Sequence, residues 1–259
     1  VKTKNPYVVI PRKLIEEIKL DDLRIPIYIY FSSMRTIRDI VGFSIDRLAI
    51  FCGYRPNIHK GMINDKCKTI FNDFVNMNMF ADFPDNINQL KHNDYIEVKL
   101  NYEWFDFNSN FAYIDLPEID IIIDFKKYVD KESRYSRITV SKLLLLLSYI
   151  RVNKLRRTEL QTNTHPENKP EFFYRQYKSI GIDLGWHEDT VTIGVSILNQ
   201  LNIIVSKDIN RYQDSNGNWH TDVILFVDKH NGWEQELIWG EAHLKSMKKK
   251  KYKQNIEDG

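Results

Sequence analysis

The stretch from Ile180 to Ile204, IGIDLGWHEDTVTIGVSILNQLNII, constrains this chain most. Ile180, Leu184 and Trp186 are spaced as the apolar positions of a helix that runs into a turn. Gly181 is small where two helices would cross closely. Gly185 stands where the first helix must stop with φ > 0. Val191, Val195, Leu198 and Leu201 then recur every three to four residues, which gives a second helix an inward stripe. After Leu201 the pattern turns strand-like (IIVSKDINRY), and DSNGNW leads into a second such run, HTDVILFV. An Asn-Gly turn between two strand patterns predicts a hairpin.

Helix, short turn and helix form the helix-turn-helix arrangement, whose second helix can lie in a major groove. With the following hairpin, the stretch resembles the winged-helix family of DNA-binding domains.

At 259 residues the chain has room for two domains of ordinary size. Its 42% hydrophobic and 28% charged residues fit a soluble globular protein. A net charge of +2 supplies no strong overall basic field, so any nucleic-acid affinity must come from local patches. The two cysteines, Cys52 and Cys67, lie in apolar stretches and read as buried thiols in a reducing cytoplasm. The longest apolar run, Leu143 to Leu147, is far short of a membrane span, and no signal peptide is visible.

Taken in order, the chain opens with a short strand and a helix from Pro11, and Pro26 opens the next helix, with Ile27, Tyr30, Phe31 and Met34 on its apolar face. Ser44 is positioned to cap a helix from Ile45 to Cys52 that ends at Gly53. Here an internal echo emerges. Leu48-Ala49-x-x-Cys52-Gly53-Tyr54 matches Ile180-Gly181-x-x-Leu184-Gly185-Trp186 position for position, and Phe71-x-x-Phe74 echoes Leu198-x-x-Leu201. The first copy carries extra turn residues, RPNIHKGM, before a helix over about 63–77. The runs YIEVKLNYEWFDF and FAYIDL, joined by Asn-Ser-Asn, predict a first wing. The polar stretch at 130–136 is the expected boundary between domains 1–130 and 131–245. The second domain then opens with the leucine-run helix at about 140–155, apolar all round and so buried. Residues 246–259 read as a basic, mobile tail. The whole is an α+β chain with two winged helix-turn-helix domains in tandem.

Catalysis finds no positive signal. There is no Gly-rich phosphate loop ending in Lys-Ser or Lys-Thr, no HExxH or paired-Cys pattern and no His-hydrophobic-His element, and the seven histidines are scattered. His220 and His230 would have to converge in space to hold a metal. Asp115, Glu118, Asp120 and Asp124 alternate with apolar residues and read as a half-buried strand or turn rather than a Mg²⁺ site. No enzyme, cofactor or metal is therefore expected.

A duplex-binding surface has better candidates. With Cys67, Ile70, Phe71 and Phe74 inward, the helical step turns Asp65, Lys68, Thr69 and Asn72 outward, and Arg55 and Lys60 precede them in the turn. Lys and Arg neutralise phosphate; Asn and Thr read base edges. In the second copy Asp189, Thr192, Ile193, Ser196 and Gln200 face out, with Thr190 beside them. No base-reading Arg is present there, and Glu188 and Asp189 repel phosphate. Arg175 and Lys178 at the start of the preceding helix, with Lys207 and Arg211 on the wing, would supply the cations.

Two such domains on one chain resemble the initiator proteins of theta-replicating bacterial plasmids and phages. That resemblance implies binding of double-stranded origin repeats, monomer and dimer forms, host replication proteins as partners and a cytoplasmic, nucleoid- or plasmid-associated location. A winged-helix transcriptional regulator, and a protein-interaction module that has lost DNA binding, are the alternative readings.

Overall fold

Seven consecutive buried residues, Ile25 to Phe31, mark the first core helix of the computed structural model. The structure describes residues 7–16, 23–36, 38–84, 89, 91–101, 111–154, 171–213 and 219–257; within these, the side chains of 13, 16, 210–213, 219–222 and 248–257 are not described. The fold is mixed α+β, in two compact units, Val1–Val152 and Asn153–Gly259.

Unit 1 runs β1 (Tyr7–Pro11), α1 (Arg12–Glu16), α2 (Arg24–Met34), β2 (Ile40–Phe43), α3 (Ile45–Phe51), α4 (Ile63–Asn76), β3 (Phe80–Asp82) and β4 (Ile96–Leu100). It continues through β5 (Phe111–Asp115), α5 (Leu116–Tyr128), a 3-10 turn at Arg134–Arg137 and α6 (Val140–Val152). An antiparallel sheet in the order β2-β4-β3 packs its apolar side chains into an aromatic core. There Phe31 of α2 meets Phe43 of β2 and Phe80 of β3 edge-on, at 5.1 and 5.2 Å between ring centres. Phe71 of α4 lies 5.0 Å from Phe80, and Phe74 closes the group. Such ring pairs add to the burial term, which is already large for five buried phenylalanines.

The expected first wing is not formed as a hairpin between β4 and β5. β4 pairs with β2 and β3, so the hairpin after α4 is β3-β4; β5 pairs with β1 in a separate two-stranded sheet. Two cores claim the two strands. Ile96, Val98 and Leu100 join the aromatic core, whereas Ala112 and Ile114 are buried in the β1-β5 sheet on which α6 packs. Residues 102–110, which hold the Asn-Ser-Asn turn, lie outside the described residues.

The acidic run forms a helix, not a strand or turn. Asp115 and Glu118 make a reciprocal capping box at the start of α5, with Pro117 in its first turn. Glu118 also receives a two-pronged 2.6 Å pair from Arg151, whose guanidinium reaches the Tyr113 carbonyl as well. This clamp, with Leu143 to Leu147 all buried against α2, α5 and the β1-β5 sheet, puts α6 in unit 1. The division therefore follows Val152 instead of residue 130. The stretch around 130–136 is an ordered turn, held by Lys126 donating to the Tyr135 and Ser136 carbonyls.

Unit 2 contains β6 (Phe173–Arg175), α7 (Tyr177–Leu184), α8 (Glu188–Gln200), β7 (Ile204–Gln213), β8 (Trp219–Asp228) and α9 (Trp233–Glu257). Its sheet order is β6-β8-β7, with β7 and β8 paired from Ile204↔Asp228 to Gln213↔Trp219. The predicted hairpin is present, and its Asn-Gly turn lies in the undescribed 214–218. Leu225 and Val227 face Leu237 and Leu244 of α9, while Phe226 packs on Phe173 and Tyr177. A buried Lys154 pairs with Asp228 where unit 2 begins. The expected separate tail continues α9 to Glu257, because KSMKKKKYKQ holds no Gly or Pro to stop a helix.

The two units share one connectivity: strand, helix, helix, hairpin, with the first strand bonded to the last. Gly53 and Gly185 end α3 and α7 in the left-handed region, at φ 84° and 70°. Tyr54 and Trp186 then donate back to the carbonyls of Ala49 and Gly181, at 3.0 and 2.7 Å. At the far end, Asn78 and Asn202 both take φ 56° and lead into β3 and β7. The interval from glycine to asparagine is eight residues longer in unit 1, which is the length of Arg55 to Met62. Aligned from the helix exits, Phe71 and Phe74 match Val195 and Leu198, all four buried. The sequence echo, which paired them with Leu198 and Leu201, was out of register by three because the exit asparagine, not the apolar pair, sets the alignment.

Gly181 is tight against this turn: a Cβ there would stand 2.7 Å from the Trp186 carbonyl oxygen. Gly181→Ala is expected to cost unit 2 about 1–3 kcal/mol. Urea unfolding followed by the fluorescence of the tryptophans, four of which (Trp186, Trp219, Trp233 and Trp239) lie in unit 2, measures it, and an unchanged midpoint would show that the turn yields freely.

Candidate nucleic-acid interface

In unit 1 the frame of the site is polar and buried. Ser44 caps α3 by accepting from the Arg47 amide. Asn64, 4% exposed, accepts from the Asn57 amide at 2.7 Å and donates to Asp46 at 2.5 Å. Asp46 in turn contacts His92 Nδ1 at 2.8 Å. One buried amide thus ties α3, the long connection and the start of α4 to the β3-β4 hairpin connection. A network centred on a buried amide favours one geometry, because breaking its bonds leaves the Asn64 side chain desolvated without partners.

On that frame α4 buries Asn64, Cys67, Ile70, Phe71 and Phe74. Its opposite ridge carries Asp65, Thr69 and Asn76, all exposed, with half-buried Asn72. Lys66 and half-buried Lys68 flank the ridge, and Arg55 and Lys60 are exposed in the connection before it. The predicted set Arg55, Lys60, Lys68, Thr69 and Asn72 therefore gathers around one helix. Lys66 was missed, although its helical angle lies as far from the buried stripe as that of Lys68. Two acids nearby are engaged: Asp65 accepts from the Gly61 amide at 2.9 Å, and Asp73 binds Arg24 at 2.6 Å.

Unit 2 offers less charge. The exposed positions of α8 include Glu188, Asp189, Thr192 and Gln200, with Thr190, Ile193 and Ser196 half-buried, and the helix contains no Lys or Arg. Thr190, Thr192 and Ser196 thus share one helix as predicted. The cations meant to support them are distributed otherwise. Arg175 ends β6 and pairs with Asp183 at 2.8 Å, and Lys207 on β7 pairs with Glu241 of α9. Lys178 is exposed on α7, and the side chain of Arg211 lies outside the described residues. Asn199 donates to Ser206 Oγ and accepts the Ser206 amide, which locks α8 to β7. Burial raises the Tyr177 phenol above its ordinary pKa beside that lock, so it remains a neutral hydrogen-bonding group.

No family model matches the chain. No curated protein matches it either. Among solved structures it is similar to the crystal structure of Pi initiator protein in complex with iteron DNA, at 10% identity over 88% of this chain and 100% of that one. The TM-score is 0.41, too low for the likeness to bear on function.

Other candidate centres do not assemble. Among the described residues no three His, Cys, Asp or Glu side chains converge as a metal site, and no helix is long and apolar enough to cross a membrane. His220 stands near the start of β8 and His230 just beyond its end, where it pairs with Glu236 at 3.3 Å.

Asn64→Ala is expected to destabilise unit 1 by about 1–3 kcal/mol, since it orphans the Asn57 amide and removes a partner of Asp46. Limited trypsin digestion should then cut faster after Lys60. An unchanged cleavage rate would show that the amide does not hold the connection.

Proposed function

We propose that each unit is a winged helix and that the chain is a sequence-specific double-stranded DNA-binding protein. It initiates replication of a plasmid or phage, acting by binding rather than by catalysis. The observation that carries this reading is the α4 face. A helix buried along one stripe presents Thr, Asn and Lys on the other, between two further cations in the preceding connection. In the proposed complex α4 lies in a major groove, with Lys66 and Lys68 toward the two phosphate walls and Arg55 and Lys60 on the backbone beside its N-terminus.

Unit 2 supplies register more than charge. Arg175 and Lys207 already hold carboxylates, so phosphate contact from the described side chains of its face falls to Lys178, while Thr190, Thr192 and Ser196 offer hydroxyls. The replication role is supported by the pairing of two such modules on one chain, the architecture that plasmid and phage initiators share. On that reading a second copy of the chain and host replication proteins are its partners, in the cytoplasm at the nucleoid or plasmid.

Salt dependence of binding to a mixed-sequence duplex tests it. Removing one phosphate-binding cation lowers the slope of log K against log salt by about one. Lys66→Ala with Lys68→Ala should lower it by about two, and Thr190→Ala with Thr192→Ala should leave it nearly unchanged. Absence of salt-dependent binding by the full chain at low salt would overturn the proposal.

A further inference from the structure

We infer that the ridge of α4 reads A·T base pairs, so that the bound duplex is A·T-rich where this helix lies. This rests on the duplex-binding role proposed above and adds the class of sequence recognised. The inference comes from what the ridge carries and where. Thr69 is exposed, and its hydroxyl donates to the Asp65 carbonyl at 3.0 Å, which leaves the γ-methyl as its outward group. Asn72 lies about one turn further on and exposed Asn76 about two, roughly 10 Å from Thr69 along the axis, the rise of about three base pairs. A methyl group packs on the thymine C5 methyl, and a carboxamide bonds both N6 and N7 of adenine.

The groups that read G·C pairs are placed elsewhere. Guanine is read by Arg or Lys, and α4 contains no Arg. Its two lysines stand roughly 70–90° to either side of the ridge, the position of groove walls rather than floor. Asp65, which could accept from cytosine, has one carboxylate oxygen tied to the Gly61 amide in the connection before the helix.

The second unit repeats the chemistry on a different sequence. With the helices aligned from their exits, Thr69 matches Ile193, Asn72 matches Ser196 and Asn76 matches Gln200, while Lys66 and Lys68 match Thr190 and Thr192. Flanking charge changes between the copies. The ridge keeps a β-branched side chain bearing a methyl group, followed two turns later by a carboxamide.

The test is selection by the full-length chain from a duplex pool with a randomised central segment, followed by base analogues in the selected site. Enrichment of A·T pairs is expected. Replacing the contacted thymine by uracil removes only the methyl, and should weaken wild-type binding about four-fold while leaving Thr69→Ala unaffected. Replacing the contacted adenine by 7-deazaadenine should weaken the wild type several-fold and leave Asn76→Ala or Asn72→Ala unaffected. Selected sites with G·C pairs at the contacted positions, or analogues that cost wild type and variants alike, would overturn the inference while duplex binding stands. Failure to bind any duplex would overturn it together with the DNA-binding role.

Discussion

A single backbone hydrogen bond governs the form of both units. After α3 and α7 the chain passes through a left-handed glycine, and the next residue, Tyr54 or Trp186, returns its amide to a carbonyl one turn back. That bond fixes the direction in which the chain leaves the first helix, and hence where the second can begin. At Gly181 the acceptor residue must be small, because a Cβ there would stand 2.7 Å from the Trp186 carbonyl oxygen. In unit 1 the acceptor is Ala49, and the bond is 0.3 Å longer.

Everything inserted into unit 1 comes after that bond. Arg55 to Met62 lengthen the connection without disturbing the lock, and the extra chain brings its own polar fastening in Asn57 and Asn64. A free insertion would leave the start of α4 loosely placed, since a longer loop adds conformational entropy without adding contacts. The buried Asn64 amide reduces that freedom by fastening Asn57, within the segment that carries Arg55 and Lys60. Unit 2, with a short turn, uses the helix exit instead: Asn199 and Ser206 fasten α8 to the strand that follows.

What could be read from the sequence alone divides along the same line. Local, periodic features were legible: α4 over Ile63–Asn76 with Cys67, Ile70, Phe71 and Phe74 inward, the Ser44 cap, the Gly185 stop and the β7-β8 hairpin. Features decided by distant partners were not. β5 has the alternation of a hairpin strand, yet its partner is β1, at the far end of the unit in sequence. The leucine-run helix announced burial but not its owner, which Arg151 and Glu118 decide. One miss had a local signal. Asp115-Leu-Pro-Glu118 is a capping box with proline in the first turn, and the alternating acids that follow masked it. The charges of Arg175 and Lys207 looked available because Asp183 and Glu241 are brought to them only by folding.

A near-neutral net charge is no obstacle to a charged face when cations elsewhere are spent on internal pairs. Arg24, Arg151, Lys154, Arg175 and Lys207 each hold a carboxylate in the folded chain. Along α4, Asp73 is paired with Arg24, whereas Asp65 accepts a backbone amide and keeps its charge near Lys66 and Lys68. Local potential depends on this sorting and not on the total, because charges beyond a Debye length of about 8–10 Å are largely screened. The same sorting separates two tasks. On the proposed role, the cations around α4 would supply attraction that any duplex feels, whereas the hydroxyl and carboxamide groups on the ridges of α4 and α8, which also carry Asp65 and Asp189, would distinguish one base pair from another. On that role, charge can vary between the copies, as Lys66 and Thr190 do, while the groups proposed to read bases are kept in kind.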